Sequence, residues 1–294
     1  MKVTMLGTGN PAPSLRRMGS GYLLEIADDV IVLDHGPGAH HRLLQAGRKP
    51  TEITHMMFSH LHYDHCVDFP RLVLTRWDQG AGQLPELKIY GPPPTAQFVD
   101  RLLGENGAYR FDIEARCGWE SSLNVYQLRG GKLPRKPPSP SVQEYSHGSV
   151  IETDNWRLTI AEVPHAQPYL TCLALRFDTD QGSFVYSGDA GPCDNLLELA
   201  QDCDLMIHMC CNISGTVNHP AHLKGNTGHL ELAEIGRKTN AGTIVATHIY
   251  DQFDLPGVRE RVIAEMSQIY KGNLVFGEDL MELGLKPNAM AAFD

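Results

Sequence analysis

The sequence predicts an α/β fold in which strands lead and helices follow, a pattern laid down twice, in residues 1 to about 150 and about 151 to 294. Short apolar runs bounded by Gly, Asn or Asp open each half, as strands do. Segments of helical periodicity come after them, the first closed by a glycine. No internal repeat at solenoid periods is present, which sets repeat architectures aside.

Taken in order, "KVTML" (2–6), "GYLLEI" (21–26) and "DVIVLD" (29–34) read as strands. "GAHHRLLQAG" (38–47) is a helix with Gly47 as its stop, and "EITHMMFS" (52–59) a buried strand. "LKIYGPPP" (87–94) is a strand ended by prolines, and a helix follows over about 95–103. Residues 104–150, with "GGKLPRKPPSPS", read as loops and short strands. Strands return at 155–163, 169–177 and 182–188. A helix over 193–201, a strand over 204–209, a helix over about 230–238, a strand over 242–248 and a helix over about 256–269 complete the second half. "GTGNPAP" lacks both the Lys-Ser/Thr of a P-loop and the third glycine of a dinucleotide fingerprint, so it reads as a tight turn after the first strand.

Composition is that of an ordinary globular enzyme, 42% apolar and 20% charged. No apolar run is long enough to span a bilayer, and the opening residues lack a signal-peptide pattern, so the cytoplasm is the expected location. Seven cysteines, an odd number without C-x-x-C spacing, suggest buried thiols rather than disulfides or a zinc knuckle. A formal charge of −10 argues against a broad nucleic-acid surface.

The chemistry concentrates in "FSHLHYDHC" (58–66), where three histidines and an aspartate occupy six positions at the end of a predicted strand. Zinc-like ions take imidazole nitrogen and carboxylate oxygen, and α/β proteins place their sites at the carboxyl ends of strands. His60 and His62, two apart in extended chain, put both rings on one side, whereas the adjacent Asp64 and His65 diverge unless the chain turns. One loop can therefore serve two metals.

"SHLHYDH" resembles the signature loop of the metallo-β-lactamase superfamily. "MLGTGNPAPSLRRMGSGYLLEI", "IVLDHGPGAHHRLLQAG", "LKIYGPPPTAQFV", "SGDAGPCDNLLELAQDCDLMIH" and "GHLELAEIGRKTNAGTIVATHI" are similar, in order, to its ribonuclease Z-like branch, with arylsulfatase-like relatives beside it. The resemblance covers most of the chain apart from 104–150 and 212–227. It implies a four-layer αββα sandwich of two mixed β-sheets flanked by helices, a single domain over 1–294. It also implies a dinuclear site with His60, His62 and His165 on one ion, Asp64, His65 and His248 on the other, and Asp189 bridging. Two Zn²⁺ per chain are expected, with Mn²⁺ or Fe²⁺ as substitutes. Such a pair, ~3.5–4 Å apart, shares a water and delivers it as hydroxide, which Asp64 would orient by accepting its hydrogen bond.

The resemblance also places His229, opening "HLELAEIG", where ribonuclease Z-like enzymes carry a histidine that protonates the leaving group. The glutamate that should pair with it is replaced by Met209, and the long tRNA-gripping arm expected between His165 and Asp189 is missing. These departures and the acidic balance point to a zinc-dependent hydrolase of a small molecule (an ester, lactone, sulfate ester or activated aryl group), with nucleic acid as an unlikely partner and no membrane. A phosphodiesterase or ribonuclease Z-like nuclease is the alternative, and an iron-dependent oxidoreductase on the same fold the second. Tyr63, Trp77, His219 and His222 are candidates for the substrate pocket, His35 is expected behind the ligands, and a homodimer is an expectation from relatives.

Overall fold

Residues 1–285 are described by the structure, a computed structural model. The first sheet contains β1 (Lys2–Gly7), β2 (Gly21–Ile26), β3 (Asp29–His35), β4 (His55–Met57), β5 (Lys88–Gly91), β6 (Ser141–Glu144) and β14 (Glu282–Gly284), in the order β14-β1-β2-β3-β4-β5-β6. The second contains β7 (Val150–Glu152), β8 (Arg157–Glu162), β9 (Leu173–Thr179), β10 (Gly182–Tyr186), β11 (Leu205–Met209), β12 (Thr243–Thr247) and β13 (Asn273–Phe276), in the order β13-β12-β11-β10-β9-β8-β7. Each sheet runs from an antiparallel meander into parallel strands, with the change at β3–β4 and at β10–β11. Both are thus mixed, and one plan is used twice.

Three apolar clusters make four layers of the two sheets. The middle one joins the sheets, with Tyr22, Leu24, Ile31 and Leu33 meeting Phe177, Phe184, Tyr186 and Ile207. A second packs Leu23, Val32, Met56 and Phe58 of the first sheet and its loop under α1 (Ala39–Gln45), α3 (Phe69–Gly80), α4 (Thr95–Leu103) and α5 (Arg110–Gly118). The third packs Val185, Met206 and Ile244 against α7 (Asp194–Leu199), α9 (His229–Thr239) and α10 (Val258–Ile269). Strands such as β2 bury both faces, which is why they read as continuous rather than alternating apolar runs. This is the αββα sandwich.

The structure adds elements that the sequence reading lacks. Helix α3 places Phe69, Leu72, Val73 and Arg76 at helical spacing on one buried face. Two helices, α5 and α6 (Glu120–Leu128), stand in 104–150 where loops and short strands are expected. Each buries a single residue, Ile113 or Tyr126, so little periodicity marks them. The expected strand 52–59 is only three residues long, because Pro50–Glu52 forms a 3-10 turn before it. A four-residue turn of helix, α2 (Tyr63–Cys66), carries half of the histidine loop, and α8 (Pro220–Gly225) ends beside His165.

Candidate metal centre

Four loops at one edge of the sandwich deliver the seven candidate ligands. The one that follows β4 and runs into α2 carries His60, His62, Asp64 and His65; His165, Asp189 and His248 follow β8, β10 and β12. Gly36 lies beneath the histidine loop, where a Cβ would collide with the carbonyl of Asp64. His248 adopts a left-handed φ of 57° and Asp34 one of 53°, conformations that bulky residues keep only where their surroundings impose them.

Around Asp189 the donors fall into two sets whose atoms lie within 4.8 Å of one another: His60, His62, His165, Asp189, and Asp64, His65, Asp189, His248. His60 Nε2 is 3.0 Å and His165 Nε2 3.3 Å from His62 Nδ1. One oxygen, Asp189 Oδ2, lies 4.0 Å from His60, 3.6 Å from His165, 3.4 Å from His65 and 3.1 Å from His248. Asp64 Oδ2 is 3.3 Å from His248 and 3.6 Å from His65. Nitrogens ~2.0–2.1 Å from a tetrahedral zinc stand roughly 3.3 Å apart, so these spacings fit ligands around ions. His65 Nε2, buried and without a hydrogen-bond partner, fits as well.

The outer groups set which nitrogen is free. Asp34, fully buried, accepts from the Ser59 amide (2.8 Å), Ser59 Oγ (2.6 Å), Tyr186 hydroxyl (2.7 Å) and His65 Nδ1 (2.8 Å). With its proton given to Asp34, Ser59 Oγ accepts from His60 Nδ1 at 3.0 Å. His165 Nδ1 donates to the Gly225 carbonyl at 2.8 Å. Each turns Nε2 toward the centre, the nitrogen from which a metal-ligating histidine gives its lone pair once the proton there is displaced. Asp34 also comes within ligand distance of His60 and His65, but its oxygens are already engaged, so it supports rather than ligates. The sequence signal was in "LDHGPG", one residue from where it was sought: His35 is buried, pushed by burial down to about 3, and edge-on to His40.

Burial alone would lower His248, but the Asp189 and Asp64 carboxylates outweigh it and lift the ring to about 9. His65 is likewise raised well above its ordinary value, against burial, by Asp189 and Asp34. Asp189 is pulled far below the carboxylate range, against burial, by His248 and His65, while burial and the neighbouring rings depress His60. Protons on His65 and His248 therefore stand in for positive charge that cations would supply. Binding of zinc at pH 7 is expected to release protons from the two raised rings, His65 and His248, with the share from His248 lost as pH rises through about 9. Calorimetry in buffers of different ionisation heat checks this; binding without proton release would contradict it. Because the folded pKa of His248 is raised, its contribution to the metal-free chain is complete below about 6.5 and is lost as pH rises through about 9.

Other expected residues fall elsewhere. His229 has both ring nitrogens engaged: Nδ1 accepts from the Ser214 amide at 3.0 Å, and Nε2 meets Glu265 of α10 at 2.7 Å. Met209 is fully buried, its sulfur 3.1 Å from the Ala190 amide. The general-acid role expected of His229 is therefore corrected. Trp77 is also corrected as a pocket wall: its Nε1 donates to the Lys136 carbonyl, and it lines a separate crevice of about 210 Å³ with Arg76, Leu87 and Pro137. His219 is exposed at the start of α8, and His222 Nε2 lies 3.3 Å from Asn212 Oδ1 rather than near the seven. Tyr63 is exposed beside the ligands, its hydroxyl donating to the Pro11 carbonyl at 2.7 Å. Tyr250, which sequence reasoning did not single out, has its ring centroid 6.4 Å from that of His248. Burial, then Cys211, Asp189 and Asp64, raise its phenol above the ordinary tyrosine value.

A family model described as the β-lactamase superfamily domain matches residues 30–249. The chain is 28% identical over 286 residues to a Ribonuclease Z of Mycobacterium marinum, covering 95% of this chain and 97% of the relative. It is 27% identical over 293 residues to a Ribonuclease Z of Mycobacterium bovis, covering 98% and 99%. Among solved structures, the metallo-β-lactamase fold protein YhfI of Bacillus subtilis superposes with a TM-score of 0.73 at 20% identity, covering 96% of this chain and 98% of that one. Human tRNase Z, short form, superposes with 0.68 at 18% identity, covering 98% and 100%. These relatives overturn the expectation of a small-molecule substrate with nucleic acid set aside. The M. marinum and M. bovis proteins align over nearly their whole length, leaving no room for a long arm that this chain lacks. Net charge, the other argument, is a property of the whole surface and does not describe a local groove. The chain belongs to the metallo-β-lactamase superfamily, on its ribonuclease Z-like branch, and is a metal-dependent hydrolase.

Proposed function

We propose that this protein is a phosphodiesterase of the ribonuclease Z kind, which hydrolyses RNA in the cytoplasm using two zinc ions. His60, His62 and His165 would hold one ion, and Asp64, His65 and His248 the other, with Asp189 between them. The observation that carries this reading is near-full-length similarity to ribonuclease Z with no donor missing from the seven. Bound there, the ions would polarise a phosphoryl oxygen as Lewis acids and lower the pKa of a bound water.

The chain's own residues do the rest. Asp64 accepts a hydrogen bond from the attacking water and fixes its direction. Asp34 and the Gly225 carbonyl hold His65 and His165 in the tautomers described. Beside His165 opens a crevice of about 520 Å³, lined by Gln167, Asn195 and Lys224, which supplies polar groups and a cation for a sugar–phosphate backbone.

The test is cleavage of a precursor transfer RNA and of bis-p-nitrophenyl phosphate by the zinc-loaded protein, with loss on chelation and recovery on adding zinc back. Failure of the metal-loaded chain on every phosphodiester would sink the reading. So would one iron per chain with oxygen consumption.

A further inference from the structure

Opening a phosphodiester leaves negative charge on the departing oxygen, and some group must meet it. His229 is not available, because Ser214 and Glu265 occupy both of its nitrogens. The neutral donors nearest the seven residues are spent or wholly enclosed: Ser20 Oγ has no partner but belongs to a residue only 1% exposed, out of reach of a substrate. Ser59 and Tyr186 give their protons to Asp34, Tyr22 bonds Thr247, and Tyr63 donates to Pro11. Thr227 Oγ1 donates to the Ala190 carbonyl.

Tyr250 is the exception. It lies two residues beyond His248 on the loop leaving β12, half-buried, its ring centroid 6.4 Å from that of His248, whose Nε2 is 3.3 Å from Asp64 and 3.1 Å from Asp189. Its hydroxyl makes no hydrogen bond among the described residues, yet the backbone around it is held on both sides. Ile249 donates its amide to the Thr8 carbonyl at 2.9 Å and accepts from Asn10 Nδ2 at 2.8 Å. On the other side, the amide of fully buried Phe253 donates to the Tyr250 carbonyl at 3.0 Å. A donor fixed in this way, with its proton uncommitted, is what stabilisation of a developing charge requires.

We infer that Tyr250 is a catalytic residue, its hydroxyl donating a hydrogen bond to the leaving-group oxygen of the scissile phosphate. This rests on the phosphodiesterase reading above. In the step itself, the water oxygen forms the new P–O bond as one of its O–H bonds breaks, that proton passing by way of Asp64 to solvent, and the P–O bond to the leaving group breaks. The phenol keeps its proton throughout, while solvent water protonates the released alkoxide. The residue thus deepens the reaction by supplying, from the His248 loop, the contact that His229 does not.

Tyr250→Phe removes only the hydroxyl. On a precursor RNA, whose leaving group is a poor one, kcat is expected to fall about 100-fold, the scale of losing one such donor. On bis-p-nitrophenyl phosphate, whose leaving group is already stable as an anion, the loss should be no more than about threefold, because little charge needs the donor. KM for both substrates, zinc content and thermal midpoint should stay at parent values. Equal losses on the two substrates, loss of zinc, or an unchanged rate on RNA would each overturn the inference. If the zinc-loaded parent cleaves neither substrate, the phosphodiesterase reading fails and takes this one with it. A parent active on both substrates and a Tyr250→Phe variant that matches it would remove only the role of Tyr250.

Discussion

Asp189→Ala is expected to lose both metal ions and to lower phosphodiester hydrolysis by ~10³-fold or more, the largest effect of any single substitution in this chain. The reason is geometric. Among the described residues, Asp189 Oδ2 is the one carboxylate oxygen within 4.0 Å of donors in both sets, reaching His60 and His165 on one side and His65 and His248 on the other. Without it, His65 and His248 lose the charge that raises them most, and they shed their protons into a buried site with no anion between the two sets. Metal analysis beside steady-state rates checks the prediction. Two ions and full activity in the variant would mean that Asp189 is a bystander.

Asp34→Ala is expected to have the second largest effect, although Asp34 is not among the seven. Four donors converge on it: two from Ser59 and one each from Tyr186 and His65. Removing it frees His65 to choose the wrong tautomer, releases Ser59 and, through Ser59, His60. Outer groups of this kind typically set metal affinity by ~10–100-fold. The same change strands buried donors and should destabilise the metal-free chain by about 3 kcal/mol. Tyr186→Phe, which removes one of the four bonds, should cost about 1 kcal/mol and leave the metals in place. Zinc titration and thermal unfolding of the two variants separate the effects; parent-like affinity in Asp34→Ala would show that the ligands orient themselves.

Much of the centre was legible because its chemistry is local. "SHLHYDH" puts four donors on one loop, and the later three each follow a strand whose apolar run is visible. What holds those donors was not legible in the same way. Asp34 contacts His65 across 31 positions and Tyr186 across 152, and no spacing rule links such pairs. His229 shows the opposite failure. The motif around it suggested its place, but a hydrogen bond to Glu265, on a helix 36 residues away, gives the ring a different partner. In the fold, Thr95–Leu103 was readable from its prolines and periodicity, as expected for an amphipathic helix on a sheet. Helices α5 and α6 were not, because each turns only one buried residue inward and the proline-rich run after them dominates the local composition. The short edge strands β13 and β14 owe their existence to pairing with β12 and β1, which is tertiary information.

The small-molecule expectation failed for a related reason. It was built on a missing insertion, one glutamate replaced by Met209, and net charge, none of which is among the seven donors. The relatives with which the chain aligns end to end include proteins of its own length named for cutting RNA.

The account stands on seven side chains from four loops holding two cations around one carboxylate oxygen. Metal content of the purified chain, stripped by chelation and then reloaded with zinc, measures this directly. About two zinc ions per chain are expected, both retained through gel filtration. A reloaded, folded chain that keeps fewer than one ion would contradict it.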